Sequence, residues 1–247
     1  MIHLFLDIET LPTARADVRD YIAATVKPPG NISKAETIAK WMTESKPEAV
    51  EEAIAKTGLD GSFGSVCVIG WAFDNAPVST VHAADDEPYV LEEFAHWMNT
   101  NPLSTTVVGH NVSSFDLRFL TQRFIVNGIR PPMVIHRAAM AKPWEAEKVF
   151  DTMVQWNPDK DKRVSLDKLC FALGIPTPKT DLDGSKVAAY VAAGRIDEVV
   201  AYCRRDVEAV RLVHARMTFQ EAPAITPLEP VEQPQAVAAV QPESIDF

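Results

Sequence analysis

The chain has 247 residues, 34 acidic against 24 basic side chains, a formal charge of −10, and 47% hydrophobic positions. That supports a real core and excludes a protein that coats nucleic acid by charge alone, because such binding runs on Lys and Arg; positive charge can still arrive as bound metal. No apolar run reaches the roughly 18–20 residues of a membrane span, no leader-like segment opens the chain, and Cys67, Cys170 and Cys203 form no C-x-x-C pair, so the expectation is a soluble, cytoplasmic protein without disulfides, zinc or a membrane partner.

In chain order, the apolar run 2–6 ends in Asp7-Ile8-Glu9-Thr10 and predicts a buried strand with acids at its C-terminal end. Residues 12–62 are rich in Ala, Lys and Glu. They carry helical spacing around Ile38, Trp41 and Met42 and around Val50, Ile54 and Ala55, and predict a helical insertion. Strands at 66–73 and 78–82, a helix at 88–98, a strand at 105–108 and a helix at 114–126 follow. A strand at 148–150 and helices at 166–173, 185–192 and 197–217 complete the pattern. Strands first, with helices interleaved later, predict an α/β domain whose sheet mixes an antiparallel meander with parallel strands. From Gln220 to Phe247 there are five acids, five prolines and no Lys or Arg. That composition predicts a folded domain over 1–219 and a disordered acidic, Pro-rich tail over 220–247.

Three Asp-x-Glu pairs occur, at Asp7/Glu9, Asp85/Glu87 and Asp206/Glu208. Strand residues two apart share a face, so Asp7 and Glu9 stand side by side. Either both are solvated at the strand's end or a cation offsets their repulsion. In the last helix Val199, Cys203, Val210, Val213 and Met217 form an apolar stripe on which Asp206 falls, one turn after Tyr202. Asp206 then pairs with Arg204 or Arg205, or shares a site with Tyr202. Asp116 follows Gly109-His110-Asn111 and Phe115, and either complements a helix dipole or leans to the buried face. Carboxylates of this kind suit magnesium or manganese better than zinc, and His110 reads as a turn or supporting residue. Asp151 supports the site or merely ends a strand. Basic residues are scattered, at Arg118, Arg123, Arg130, Arg137, Lys160, Lys162, Arg163 and Lys168, as a solvated surface or a phosphate track.

The three segments Phe5-Leu6-Asp7-Ile8-Glu9-Thr10, Gly109-His110-Asn111 through Phe115-Asp116, and Tyr202-Cys203-Arg204-Arg205-Asp206 resemble, in order, the motifs of the DEDD superfamily of 3′–5′ exonucleases. Tyr four residues before the last Asp matches the tyrosine (DEDDy) subclass. Asn five before Asp116 is similar to the proofreading domain of family-B DNA polymerases. No polymerase module accompanies it and the 12–62 insertion is longer than usual, which implies a stand-alone nuclease.

The resemblance implies a ribonuclease H-like mixed sheet of about five strands, order 3-2-1-4-5, flanked by helices. It implies two divalent ions, Mg2+ or Mn2+, held by Asp7, Glu9, Asp116 and Asp206, with Tyr202 orienting the attacking water. Ile8, Thr10, Leu11, Asn111 and Phe115 are its substrate-binding candidates. The substrate implied is the 3′ end of mainly single-stranded DNA, released as nucleoside 5′-monophosphates. RNA trimming on the same fold is the alternative, and a catalytically silent nucleic-acid-binding module is the reading from another class. The last six residues are similar to the acidic, Phe-ended tip of bacterial single-stranded-DNA-binding proteins, which makes the tail a candidate protein-docking segment.

Overall fold

The computed structural model describes residues 2–100, 105–142, 145–159, 162–178, 181–221 and 223. The tail expected at 220–247 therefore lies, from residue 224 onward, outside the described residues.

Strand β1 (Ile2–Leu11) is the spine. It pairs antiparallel with β2 (Ser65–Phe73), which pairs antiparallel with β3 (Ser79–His82). On its other side β1 runs parallel to β4 (Thr105–Gly109), which runs parallel to β5 (Val149–Asp151). The five strands lie in the order 3-2-1-4-5, the mixed sheet expected from the motifs. Between β1 and β2 stand three helices, α1 (Ala16–Thr25), α2 (Ala35–Glu44) and α3 (Lys46–Ala55), and a 3-10 turn at Lys56–Leu59. They share a small core of Val18, Ile22 and Ile54. After the meander come α4 (Glu87–Asn99), α5 (Asp116–Val126) and α6 (Met133–Ala139). Past β5 follow α7 (Thr152–Trp156), α8 (Leu166–Leu173), α9 (Val187–Ala192) and α10 (Ile196–Met217).

The period of two in β1 divides its side chains between two layers. Leu4, Leu6 and Ile8 join Val90, Leu91 and Phe94 of α4 and Leu117, Leu120 and Phe124 of α5 in the larger core. Phe5 turns the other way, toward Val207 and Val210 of α10. The next two residues on that face are Asp7 and Glu9, where further hydrophobes would continue the pattern. Acids thus replace apolar side chains in the C-terminal half of the strand, as the sequence indicated, and the strand runs two residues past Glu9. No helix among the described residues is long and apolar enough to cross a membrane.

One buried ion pair locks the insertion's end to the sheet. Arg123 of α5 donates to Glu87 through Nε at 2.9 Å and Nη2 at 2.7 Å, and through Nη1 to the Gly61 carbonyl at 3.1 Å. Glu87 also accepts the Val66 N–H at 2.7 Å. Arg123, a phosphate-track candidate by sequence, is instead buried; its partner lies 36 residues away, beyond the reach of local pattern.

Candidate active site

Asp7 and Glu9 sit opposite Gly70 and Val68 of β2, just before a bulge at Glu9/Thr10. Helix α10 crosses this face at very short range because residue 70 has no side chain. A Cβ there would stand 2.8 Å from Cys203 Sγ and 3.3 Å from Val207. The close approach delivers Tyr202 and Asp206 to Asp7. Cys203, three residues before Asp206, meets the strand as well, its thiol 3.6 Å from the Asp7 carbonyl.

Asp116 arrives from the opposite layer. It opens α5, is 4% exposed, and its Oδ1 accepts the Ile8 N–H, between the two β1 acids, at 3.2 Å. The turn that aims it is held by Asp151 at the end of β5. Asp151 accepts the Asn111 and Ser113 N–H groups at 3.0 Å each and caps α7 through Met153 and Val154. Asn111 takes a left-handed φ of +63°, which Asn tolerates better than most residues. Its carbonyl accepts the Ser114 and Phe115 N–H groups, which leads directly into α5. His110 Nε2 donates to the Val164 carbonyl at 2.8 Å and its Nδ1 meets the Thr152 hydroxyl at 2.9 Å, so neither nitrogen is free to bind metal.

Burial pushes the Asp7 carboxyl well above the usual carboxylate range, and Asp206, Glu9 and Asp116 push further. Glu9 rises for the same reasons, burial first and then Asp206 and Asp116. Burial raises Asp116 to about 7 despite backbone hydrogen bonds that favour its charge. Asp206 reaches about 6, again through burial, with the Tyr202 hydrogen bond and Arg205 acting in the opposite sense. Tyr202 is driven above its ordinary range by burial and then by Asp206, so its phenol keeps its proton.

The arrangement is costly without a cation. Ligand atoms of Asp7, Glu9 and Cys203 all lie within 4.8 Å of one another. Two full charges at that separation repel by on the order of 3–4 kcal/mol at an effective dielectric constant of about 20. Asp7 Oδ2 and Asp206 Oδ1 are enclosed yet have no hydrogen-bond partner among the described residues. Orphaned acceptor oxygens in a carboxylate cluster fit a hard divalent cation. The Cys203 thiol, held far above its ordinary pKa by burial and then by Asp7, stays protonated and is a poor ligand. Its place at the site was readable only from its helical spacing to Asp206.

The five substrate-binding candidates fare differently. Ile8 buries its side chain in the core and spends its N–H on Asp116, so it serves the site through that acid and not through a nucleotide. The Thr10 hydroxyl donates to the Gly58 carbonyl at 2.6 Å, which removes it as a donor to substrate. Leu11 is half-buried against the cluster around Val68 and Leu182. The Asn111 side chain makes no hydrogen bond among the described residues, and Phe115 shows a half-buried ring 5.5 Å from that of Phe119. Lys160, from the basic run after α7, lies outside the described residues.

No curated protein matches the sequence. The fold resembles the family B DNA polymerase of the hyperthermophilic archaeon Pyrobaculum calidifontis, with a TM-score of 0.55 at 17% identity over 89% of this chain. The chain spans only 24% of that polymerase, and its five-stranded sheet has the ribonuclease H-like fold of a polymerase exonuclease domain. Residues 63–237 match the family described as predicted 3′–5′ exonucleases related to the exonuclease domain of PolB. With a five-stranded sheet of the required order and most of its length inside that match, the chain belongs to this PolB-related 3′–5′ exonuclease family.

Proposed function

We propose that the protein is a metal-dependent 3′–5′ exonuclease that removes nucleoside 5′-monophosphates from single-stranded DNA. The observation that carries this reading is the set of enclosed carboxylates around Asp7, with Asp7 Oδ2 and Asp206 Oδ1 unpartnered. The DNA in the reading comes from the polymerase to which the fold is similar.

Asp7, Glu9, Asp116 and Asp206 would hold two Mg2+ or Mn2+ ions. When bound, such ions supply an activated water and charge stabilisation for a phosphodiester. The chain's own residues do the positioning. Tyr202 keeps its phenolic proton and stands one helical turn before Asp206, so it would orient the attacking water and is not the base. The Ile8 N–H fixes Asp116, and Asp151 fixes the turn before it. The 3′-terminal nucleotide lies along the end of β1, at Thr10 and Leu11, with Asn111 and Phe115 on the facing side.

The test is a gel time course with 5′-labelled single-stranded DNA and RNA of equal sequence, in magnesium, manganese or EDTA, beside Asp7→Ala. The expected result is a metal-dependent ladder that shortens the DNA from its 3′ end and is absent in the variant. Intact substrate in every lane, from protein shown to be folded, would overturn the reading in favour of a silent binding module.

A further inference from the structure

Charge is segregated along this chain in a way the carboxylate site does not use. Between residues 117 and 144 there is no Asp or Glu, while Arg118, Arg123, Arg130, Arg137 and Lys142 fall inside the stretch. The stretch contains α5 and α6. Both helices bury one side in the larger core, α5 through Leu120 and Phe124 and α6 through Val134 and Ile135, so their other sides face outward from the same layer.

That outer face is aliphatic and basic. Ile125 is 67% exposed and Met140 62%, and Val126 and Met133 are exposed as well. Arg118 shares the exposed stripe of α5 with Gln122 and Ile125, four and seven residues later. Arg118 and Arg130 are exposed and make no hydrogen bond or ion pair among the described residues. None of the exposed apolar residues here is aromatic, whereas single-stranded nucleic acid is held by stacking its bases on aromatic rings. Aliphatic and methionine side chains with flanking cations suit an acidic, apolar peptide better.

Such a peptide lies in the same chain. Ile225, Leu228, Val231, Pro234 and Val237 recur at intervals of three, and Glu229 and Glu232 take the next position of the repeat, with Pro223, Pro227 and Pro230 interspersed. Three residues make one turn of a polyproline II helix, so in that conformation the apolar residues share one edge and the glutamates an adjacent one. The family match runs past the end of α10 to residue 237, and so takes in the whole series. Pro223 lines a cavity with His3 at the start of β1, and His3 pairs with Thr106 of β4, the strand against which α6 packs. From there the segment reaches about 40 Å at 3.1 Å per residue, against a radius of gyration of about 17 Å for a domain of this size.

We propose that residues 225–237 dock within the chain as a polyproline II strap on the outer face of α5 and α6, with the apolar edge on the exposed aliphatic side chains and Glu229 and Glu232 toward Arg118 and Arg130. A proline-rich segment loses little conformational entropy on docking, which favours this occupant. The strap goes beyond the exonuclease reading and does not depend on it.

The test uses the full chain, with a nitroxide on Gln233→Cys and isotope-labelled methionine methyl groups read by NMR. Position 233 falls on the third edge of the repeat, and Cys67, Cys170 and Cys203 are buried, so the label goes to the introduced thiol. The Met133 and Met140 methyl signals should be lost to paramagnetic broadening, while Met42 of α2, as exposed as Met133, keeps its signal. Glu229→Lys combined with Glu232→Lys, or Arg130→Glu by itself, should restore the Met133 and Met140 signals. Equal broadening of all three methionines, no broadening, or broadening that the charge variants leave unchanged would overturn the strap. Broadening that fades on dilution would put the segment on a second copy, and signals that move only on addition of a single-stranded oligonucleotide would give the face to nucleic acid; either result overturns docking within the chain.

Discussion

Asp151 holds Asn111 in its left-handed turn: one carboxylate oxygen accepts the Asn111 N–H at 3.0 Å while the other accepts Ser113 at the same distance. The turn it stabilises is the one that launches Asp116 into the carboxylate cluster. In Asp151→Asn an amide NH2 would face one of those N–H donors. Activity should fall about 10–100-fold, the usual cost of losing a group that orients ligands. Calorimetric Mn2+ titration should show weakened binding in the same variant. Unchanged Mn2+ affinity and turnover would show that the turn needs no anchor.

The approach of α10 to β2 depends on Gly70, and Gly70→Ala tests it. The new Cβ must displace Cys203, and with it the turn of helix that carries Tyr202 and Asp206. A shift of this kind should cost turnover on the order of 10–100-fold, with a stability loss of about 1–3 kcal/mol. Adding Cys203→Ala removes the clashing sulfur and should restore most of the activity. Failure of the double variant to recover would place the damage elsewhere.

Charge repulsion at Asp7 makes an unusual stability prediction. Asp7→Asn removes one of four mutually repelling acids, so the metal-free protein should melt higher than wild type, by roughly 2–4 °C per kcal/mol relieved. MnCl2 should raise the melting temperature of wild type and not of the variant. Scanning fluorimetry with Mn2+ and EDTA reads both effects, and equal metal-induced shifts in the two proteins would contradict the proposal that Asp7 holds metal.

His214 governs acid stability away from the carboxylates. It is buried, with rings of His3 and Phe150 each 4.8 Å away, and burial followed by the charge of His3 lowers its pKa to about 4. The unfolded chain binds this proton near the ordinary value of about 6.5. Its contribution is therefore complete above that pH and is lost as pH falls toward 4, a change of roughly 3 kcal/mol. The raised acids of the cluster act in the opposite sense, stabilising the metal-free protein as pH falls. Comparing wild type with His214→Phe isolates the histidine: the variant should lose less stability between pH 7 and 4.5. Parallel pH profiles would refute the assignment.

The sequence shows its chemistry where a charge interrupts an apolar pattern. Asp7 and Glu9 in an apolar strand and Asp206 on an apolar helical stripe stand out because burial without a partner is expensive. The sheet order was legible through the motifs carried by β1, β4 and α10. Helices α6 and α7 were not, since seven and five residues are too few for a period of 3.6 to declare itself. The role of Asp151 stayed open because two of its donors, at 111 and 113, are brought to it only by β4–β5 pairing. Gly70 gave no signal either, as its significance lies in the space occupied by Cys203, 133 positions later. Arg123 misled because its exposed-looking charge is answered by Glu87 on another helix.

The distance along the chain between Asp7 and Asp206 also sets a timetable. During translation β1 can acquire β2 and β4 as neighbours before α10 is made, so the sheet and its larger core can form ahead of the proposed catalytic centre. During synthesis the nascent chain would lack Tyr202 and Asp206, and with them the proposed nuclease activity, until α10 emerges from the ribosome. Recovered activity in a refolding experiment should accordingly trail the recovery of strand signal, with the delay measuring how long α10 takes to dock over Gly70.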